Sequence, residues 1–309
     1  MDQFNSDEVL EKLTLEFISK SPILGIGAIF FSQERQDAFR LCYRSMRIID
    51  NIVDDIKEKY QGKVPPHLRD LIDTKLSQWI LAIQGKFQFD KNQQELIDLL
   101  KKIDLPIWPW EKLVESMKYD IDNNGFESFP VFLKYTEGAA VSPGAIFMHL
   151  CGINDAGSIY TKPTFDIMET ARPLARFSYL VHIIRDFQED HNDGLNYFSD
   201  DFLAEFGLTI PILRKMAKDG KINNDFRLLI KKYQELADGY RIGSRQMLDR
   251  VGSEMQPRYL LSLEVLFSLY LQIFERIDQV GCNFTTAEMN PSPEEIKSRV
   301  IKVVSIFNQ

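Results

Sequence analysis

The sequence predicts a single all-α domain over residues 1–309. Apolar residues recur at helical spacing along most of the chain, and alternation of apolar and polar residues between turn signals is almost absent. No shift in composition marks a boundary between two domains. A chain of this length buries about 75% of its unfolded surface, which is enough for one large core or two smaller ones.

The breaks between the predicted helices carry suitable residues. Pro65 and Pro66 open one helix, while Asn123-Asn124-Gly125 and Asn192-Asp193-Gly194 each close one. Residues 290–294 resemble a linker and cap before a peripheral C-terminal helix within 291–309. We expect helices over residues 7–20, 33–60, 66–84, 92–103, 109–123, 129–151, 165–191, 199–205, 209–218, 223–250, 256–280 and 293–307.

The charge balance excludes one large class of partners. The chain has 37 Lys and Arg against 45 Asp and Glu, a net charge of −8. Nucleic-acid-binding domains usually carry basic patches, so no nucleic-acid partner is expected. An anionic ligand stays compatible with this charge, because bound metal ions can invert a local field.

The cysteines and the apolar segments bear on the compartment. Three cysteines far apart in the sequence indicate reduced thiols and a cytoplasmic location rather than disulfides or a metal site. The acidic, polar N-terminus is not typical of a signal peptide, and no stretch predicts a membrane-spanning helix. Peripheral membrane contact and the oligomeric state stay open.

A first D-x-x-x-D pair, Asp50 and Asp54, lies in an otherwise apolar predicted helix. At about 100° per residue, Tyr43, Arg47, Asp50 and Asp54 share a strip roughly 60° wide, here called the first aspartate stripe. Isoleucine and valine occupy most of the remaining circumference. This pattern predicts a buried helix with one polar strip facing an interior cleft.

A second pair repeats the arrangement. Tyr179, His182, Asp186 and Asp190 share a strip roughly 80° wide, here called the second aspartate stripe. A single such pair is more often a solvated helix face, but two pairs in apolar helices place carboxylates where they need partners. Mg²⁺ binds through one or two carboxylates together with substrate phosphates. The stripes therefore predict a Mg²⁺–diphosphate clamp that assists ionisation of an allylic diphosphate.

The motifs and their order resemble those of the squalene/phytoene synthase family of head-to-head prenyltransferases, over about residues 19–277. The resemblance rests on residues 19–21, 43–54, 117–120, 135–144, 183–190 and 194–198. It implies a single-domain isoprenoid-synthase-type helical bundle around a central cavity. It also implies that two C15 or C20 prenyl diphosphates, farnesyl or geranylgeranyl, are joined through a cyclopropyl diphosphate with Mg²⁺. NADPH is implied only for a squalene-type product.

The same resemblance implies roles for individual residues. Tyr43, Arg47 and Tyr197 would act next to the reacting groups, and residues 260–274 would form tunnel wall. Small residues at 138–140 would let prenyl chains pass close to the backbone. The implied Mg²⁺ ligands are Asp50, Asp54, Asp186 and Asp190. The implied substrate-binding residues are Ser19, Ser21, Arg47, Tyr135, Gly138, Ala139, Tyr179, His182 and Arg185.

The sequence also departs from the family pattern. Tyr179 and His182 stand where the family has Gln and Asn, and Pro143 is expected to kink its helix or shift its register. These departures leave open a diverged member that cyclises, hydrolyses or stops at the intermediate, or a non-catalytic scaffold. Residues 57–59 are expected to form a solvated helix face. The other histidines, His67, His149 and His191, are expected to lie on the surface or in the core.

Overall fold

A computed structural model describes residues 6–155 and 160–309 of the chain. The fold is helical, as predicted. A two-residue strand pair, Asn154–Asp155 with Tyr160–Thr161, is the exception among the described residues. The helices are α1 (Ser6–Lys12), α2 (Leu15–Lys20), α3 (Ile23–Ala28), α4 (Gln33–Lys59), α5 (Pro66–Ile83), α6 (Lys91–Lys102), α7 (Trp108–Asp122), α8 (Phe129–Thr136), α9 (Ser142–Gly152), α10 (Ile167–Arg185), α11 (Phe187–Asn192), α12 (Asp200–Glu205), α13 (Ile210–Asp219), α14 (Asn224–Val251), α15 (Pro257–Phe274), α16 (Thr286–Met289) and α17 (Pro293–Phe307).

Several predicted helices are interrupted or shortened in the structure. The helix predicted over 7–20 is two short helices, α1 and α2, and the one predicted over 165–191 breaks at Asp186 into α10 and α11. The helix predicted over 256–280 ends at Phe274. The short helices α3 and α16 were not predicted. Six- and four-residue helices leave too little periodicity to read from the sequence.

The predicted helix over 129–151 contains the register shift expected from Pro143. Its middle, Glu137–Val141, is a π-helical turn between α8 and α9. Pro143 then occupies the first turn of α9, where its missing backbone N–H costs no hydrogen bond. The extra residue in the π-helical turn lets the helix continue through Pro143 without a break. Turns of this kind often lie at functional sites.

The central helix of the bundle is α10, which contacts α9, α14, α15 and the π-helical turn. On the other side, α4 packs against α5, α6, α7 and α9. One large cluster of buried apolar residues runs through these helices. A second, smaller cluster joins α15 and α17 to the N-terminal helices, with Val300 and Val304 of α17 fully buried.

In the described part of the chain, no helix is both long enough and apolar enough to cross a bilayer.

Candidate active site

A cavity of about 260 Å³ lies between α4 and α10. Its body is apolar and includes Phe147 of α9 and Leu263 and Leu266 of α15, so part of the predicted tunnel wall does line it. Ala139, Ala140, Pro143 and Gly144 form another part of the wall. The polar side chains of the wall are Tyr43, Arg47, Asp50, Ser178, Tyr179, His182 and Tyr270.

The first aspartate stripe lies on the unbroken helix α4. Asp50 is partly buried, and its pKa is raised to about 7 by burial and by the neighbouring charge of Asp54. The pKa of Asp54 is raised to about 6 by desolvation and the charge of Asp120. Arg47 lies 3.4 Å from Asp50 and 3.0 Å from Asn51, with 49% of its side chain exposed. Tyr43, the first residue of this stripe, stacks on Phe39.

The second aspartate stripe spans a helix break. Asp186 is the C-terminal cap of α10, yet the Asp190 N–H still donates to the Asp186 carbonyl at 2.8 Å. Both carboxylate oxygens of Asp186 accept hydrogen bonds from Arg185 at 2.6 Å. Asp190 has no such cation, and burial together with the charge of Asp186 raises its pKa to about 8.

Two tyrosines are affected by the charges of both aspartate pairs. The rings of Tyr179 and Tyr197 meet edge to face, with centroids 6.3 Å apart. Burial raises the pKa of both phenols, and the charges of Asp54 and Asp190 add to the effect. One carboxylate of each aspartate pair, Asp54 and Asp190, therefore acts on the same two phenols.

His182 is a neutral member of the cavity wall. Its ring lies edge to face against Tyr270, with centroids 5.2 Å apart. Burial and the nearby Arg185 guanidinium lower the pKa of His182 to about 3. The side chain is therefore an uncharged hydrogen-bonding group at the pH of the cell, and it cannot attract a diphosphate as a cation.

A buried ion pair near the site was missed from the sequence. The Lys57 ammonium lies 2.9 Å from Asp120, and both side chains are less than one-tenth exposed. The prediction of a solvated face is therefore wrong for Lys57, because the C-terminal end of α4 packs against α7. The Tyr135 hydroxyl donates to the other Asp120 oxygen at 2.7 Å. Asp120 belongs to one of the motifs found in the sequence, but no sequence pattern indicated that Lys57 would be its partner.

Some predicted substrate-binding residues lie away from the cavity. Ser19 is exposed, and its hydroxyl donates to the Glu16 carbonyl within α2. Ser21 lines a separate groove that meets the cavity at Tyr43. Gly138 faces α7 instead of the cavity, since a Cβ atom there would lie 2.1 Å from the Lys112 carbonyl oxygen. Gly138 therefore serves helix packing and does not line the cavity, while its predicted role beside a prenyl chain stays a prediction.

The three histidines expected on the surface or in the core lie there: His67 is exposed, and His149 and His191 are in the core. His149 contacts the Ile103 carbonyl at 2.8 Å and His191 the Phe187 carbonyl at 3.0 Å, and both are buried. Burial lowers the pKa of each.

The carboxylates fit a hard divalent cation. Among residues 6–155 and 160–309, no three His, Cys, Asp or Glu side chains form a ready-made metal cluster. The available donors are oxygen pairs, Asp50 with Asp54 and Asp186 with Asp190. Three of these four carboxylates have raised pKa values, so a nearby cation would stabilise their charged forms.

The sequence profile of one family, described as squalene/phytoene synthase, matches residues 26–295. The chain belongs to the squalene/phytoene synthase family. Phytoene synthase 2 (chloroplastic) of Solanum lycopersicum is 22% identical over 275 residues, covering 88% of this chain and 82% of the relative. Phytoene synthase 1 (chloroplastic) of Zea mays is 23% identical over 210 residues, which span 67% of this chain and about half (47%) of that relative.

Two solved structures share the fold of this chain. A dehydrosqualene synthase in complex with ligand superposes with a TM-score of 0.69, covering 98% of this chain and 97% of that one at 15% identity. Squalene synthase HpnC from Alicyclobacillus acidocaldarius gives a TM-score of 0.64, covering 87% and 92% at 16% identity. The predicted isoprenoid-synthase-type fold is confirmed, and family membership identifies the chain as a prenyltransferase.

Proposed function

We propose that the chain condenses two farnesyl or geranylgeranyl diphosphates head to head, in a Mg²⁺-dependent reaction that passes through a cyclopropyl diphosphate. The observation that carries the proposal is that Asp54 of one pair and Asp190 of the other act on the same two tyrosines, Tyr179 and Tyr197, while Asp50 and Tyr179 line an apolar cavity. Family membership supports the head-to-head reaction type.

The aspartates and the arginines would have different roles in binding a diphosphate. Bound Mg²⁺ would neutralise charge on the departing diphosphate and so assist ionisation. Asp50 with Asp54, and Asp186 with Asp190, would hold the metal. Arg47 is half exposed and only loosely paired, so its guanidinium is free to turn towards phosphate oxygens. Arg185 already holds Asp186 and would present its remaining N–H groups.

The apolar wall would hold the prenyl chains and exclude water. Ala139 and Gly144 leave room beside the backbone of the π-helical turn and α9, while Phe147, Leu263 and Leu266 supply the bulk of the surface. Excluding water matters because an allylic cation that meets water is lost as an alcohol. Tyr43 and Tyr197 would lie near the reacting carbons or the diphosphate.

A direct assay tests the proposal. Purified protein is incubated with Mg²⁺ and farnesyl or geranylgeranyl diphosphate, with and without NADPH, and both pyrophosphate and extracted products are identified. We expect pyrophosphate release that stops with EDTA, and a squalene- or phytoene-type product. Release of no pyrophosphate from either substrate would contradict the proposal. The NADPH arms decide between the two product types.

A second candidate function keeps the ionisation and changes its outcome. It is favoured by Tyr179 and His182, which line the cavity where the family has Gln and Asn. In this case the same assay yields pyrophosphate with a cyclised product, a prenyl alcohol or the cyclopropyl diphosphate. A cytoplasmic location, with peripheral membrane contact for product release, stays a prediction.

A further inference from the structure

Two glycines bring the ends of the aspartate-bearing helices into contact. Gly62 lies beyond the end of α4, eight residues after Asp54, and Gly194 lies beyond the end of α11, four residues after Asp190. Both glycines are buried and left-handed, with φ of +85° and +84°. A Cβ atom on Gly62 would lie 2.2 Å from the Gly194 carbonyl oxygen, and one on Gly194 would lie 2.7 Å from the Gln61 carbonyl oxygen. The two segments therefore pack backbone against backbone, as close as only glycine allows.

Short backbone hydrogen bonds tie this contact to both helices. The Gly62 N–H donates to the Lys57 carbonyl of α4 at 2.7 Å. The Leu195 N–H, directly after Gly194, donates to the Asp190 carbonyl of α11, also at 2.7 Å. A displacement of one glycine from the other would therefore move the helix ends that carry the candidate metal ligands.

Two side chains from other parts of the bundle hold the Gly194 carbonyl. Arg214 of α13 donates to this oxygen from Nη2 at 2.9 Å, and Asn124, in the turn after α7, donates from Nδ2 at 3.3 Å. The same Asn124 nitrogen lies 2.9 Å from the position of a Cβ on Gly62. Gly62, Asn124, Gly194 and Arg214, here called the glycine junction, thus hold four segments of the chain together.

We propose that Gly62 and Arg214 are positioning residues, and that the glycine junction sets the separation of the two aspartate pairs so that one diphosphate can bind to both through Mg²⁺. This role rests on the proposed function. Mg²⁺ holds its oxygen ligands at about 2.0–2.1 Å in near-octahedral geometry, so a diphosphate shared by both pairs requires a fixed distance between their helices. A misplacement of about 1 Å can lower the rate by about 100-fold.

The first test compares two glycine substitutions. Gly62→Ala adds a methyl group that must move the Gly194 segment by roughly 1 Å to reach ordinary van der Waals contact. Gly85→Ala is the matched control, because Gly85 is also left-handed (φ +72°) and follows a helix end, but it is exposed and has no atom within 4 Å of an added Cβ. Both variants therefore carry the same kind of backbone strain, and only Gly62→Ala changes a contact.

Isothermal titration calorimetry measures binding of Mg²⁺ alone, and of inorganic pyrophosphate at saturating Mg²⁺. We expect Gly62→Ala to weaken pyrophosphate binding by about 10- to 100-fold and Gly85→Ala to change it by about twofold or less. Binding of Mg²⁺ alone should change little in both variants, since one or two carboxylates can hold the ion without the other pair. The kcat for prenyl diphosphates should fall only in Gly62→Ala.

Arg214→Gln decides the question if Gly62→Ala does not fold, because it removes a donor to the Gly194 carbonyl and adds no bulk. We expect pyrophosphate affinity to fall by about tenfold, the size of one hydrogen bond to a charged group. Arg214→Lys keeps a charged donor and should recover most of the affinity. Lys215→Gln removes the charge of an exposed neighbour on the same helix and should leave the affinity unchanged.

The outcomes separate this inference from the proposed function. Wild-type pyrophosphate affinity in folded Gly62→Ala, or in Arg214→Gln where Gly62→Ala does not fold, overturns the positioning role. Equal losses of Mg²⁺ and pyrophosphate binding overturn it as well, because they indicate a general loss of structure. A wild-type chain that binds no pyrophosphate with Mg²⁺ overturns both the positioning role and the diphosphate clamp. If the expected binding pattern is found but prenyl diphosphates release no pyrophosphate, the proposed function fails and the glycine junction keeps its role.

Discussion

The two aspartate pairs differ in how the backbone presents them and in how their charge is balanced. Asp50 and Asp54 lie on an unbroken helix, whereas Asp186 ends α10 and Asp190 belongs to the next helix. Arg185 holds Asp186 with two hydrogen bonds of 2.6 Å, while the half-exposed Arg47 approaches Asp50 only to 3.4 Å.

This contrast shows that two similar sequence motifs can differ in how far their carboxylates depend on a metal ion to balance their charge. Asp186 is already paired with a cation, so its carboxylate is held in place before any metal binds. Asp50 is paired only loosely, with Arg47, and no ion pair holds Asp54 or Asp190 within the described residues. The raised pKa values of these three aspartates record the cost of charging them. We infer that metal binding stabilises the first pair more than Asp186.

The largest expected effects come from removing one aspartate of each pair. Asp50→Ala and Asp186→Ala should each reduce kcat by about 100- to 1,000-fold, the usual cost of losing one charge-stabilising group. Only Asp186→Ala should lower thermal stability, by about 1–3 kcal/mol, because it leaves the Arg185 guanidinium largely buried and unpaired.

Pyrophosphate release and circular dichroism melting curves measure these two effects. Asp55→Ala and Glu189→Ala are matched controls, since both side chains are exposed neighbours of the motif aspartates. Full activity in both Asp50→Ala and Asp186→Ala would show that the metal assignment is wrong. Equal losses of stability in the two variants would remove the contrast between the pairs.

The metal response should depend on pH. The folded-state pKa values of Asp50, about 7, and Asp190, about 8, lie above the unfolded value near 4. The metal-free folded state therefore binds more protons than the unfolded chain over this window. These groups make the free energy of unfolding fall as pH rises from about 4 to about 8. Mg²⁺ must displace the same protons, so it should stabilise the protein more at pH 8 than at pH 5.

Melting temperatures with EDTA and with Mg²⁺ at the two pH values test this expectation. In proteins somewhat smaller than this one, a change of 1 kcal/mol in the free energy of unfolding shifts the melting temperature by roughly 2–4 °C. In the metal-free samples with EDTA, the double variant Asp50→Asn/Asp190→Asn should show a weaker dependence of the melting temperature on pH. A Mg²⁺-induced shift of the same size at pH 5 and pH 8 would contradict the assigned pKa directions.

The two arginines should respond differently to lysine. Arg185→Lys loses one of two hydrogen bonds to Asp186, so we expect a lower Tm and a kcat reduced by about tenfold. Arg47→Lys keeps a charge near the substrate and breaks no strong pairing, so Tm should stay unchanged while kcat/KM falls. Melting curves and steady-state kinetics on both variants check this. A larger loss of Tm in Arg47→Lys would reverse the comparison.

The smallest expected effect belongs to His182. Because its pKa is lowered to about 3, the ring is neutral throughout the usual pH range. His182→Asn should therefore change kcat/KM by about fivefold or less, the size of one neutral hydrogen bond. The pH profile between pH 5 and pH 8 should keep its shape. If the wild-type pH profile shows a titration in this range and the His182→Asn profile does not, His182 carries a charge during the reaction.

Helix α4 was predicted to within one residue, at 33–60 against Gln33–Lys59, because its periodicity is long and its ends are marked by polar residues. The break at Asp186 could not be predicted in this way. The sequence from Arg185 to Asp190 has ordinary helical spacing, whereas in the structure Asp186 is the C-cap of α10 and its side chain pairs with Arg185. The spacing of apolar residues does not indicate a helix boundary of this kind.

The sequence by itself determined the all-α class, the two aspartate stripes and the family, since helical spacing and motif order are properties of the chain. It also located the register shift at Pro143, because a proline in a helix interior has few acceptable backbone solutions. Only the tertiary structure decided that Lys57 is buried against Asp120 and that Gly138 packs against α7. The physical reason is that burial and partners of these two residues are set by α7, which lies more than fifty residues from Lys57 in the sequence and follows its own periodicity.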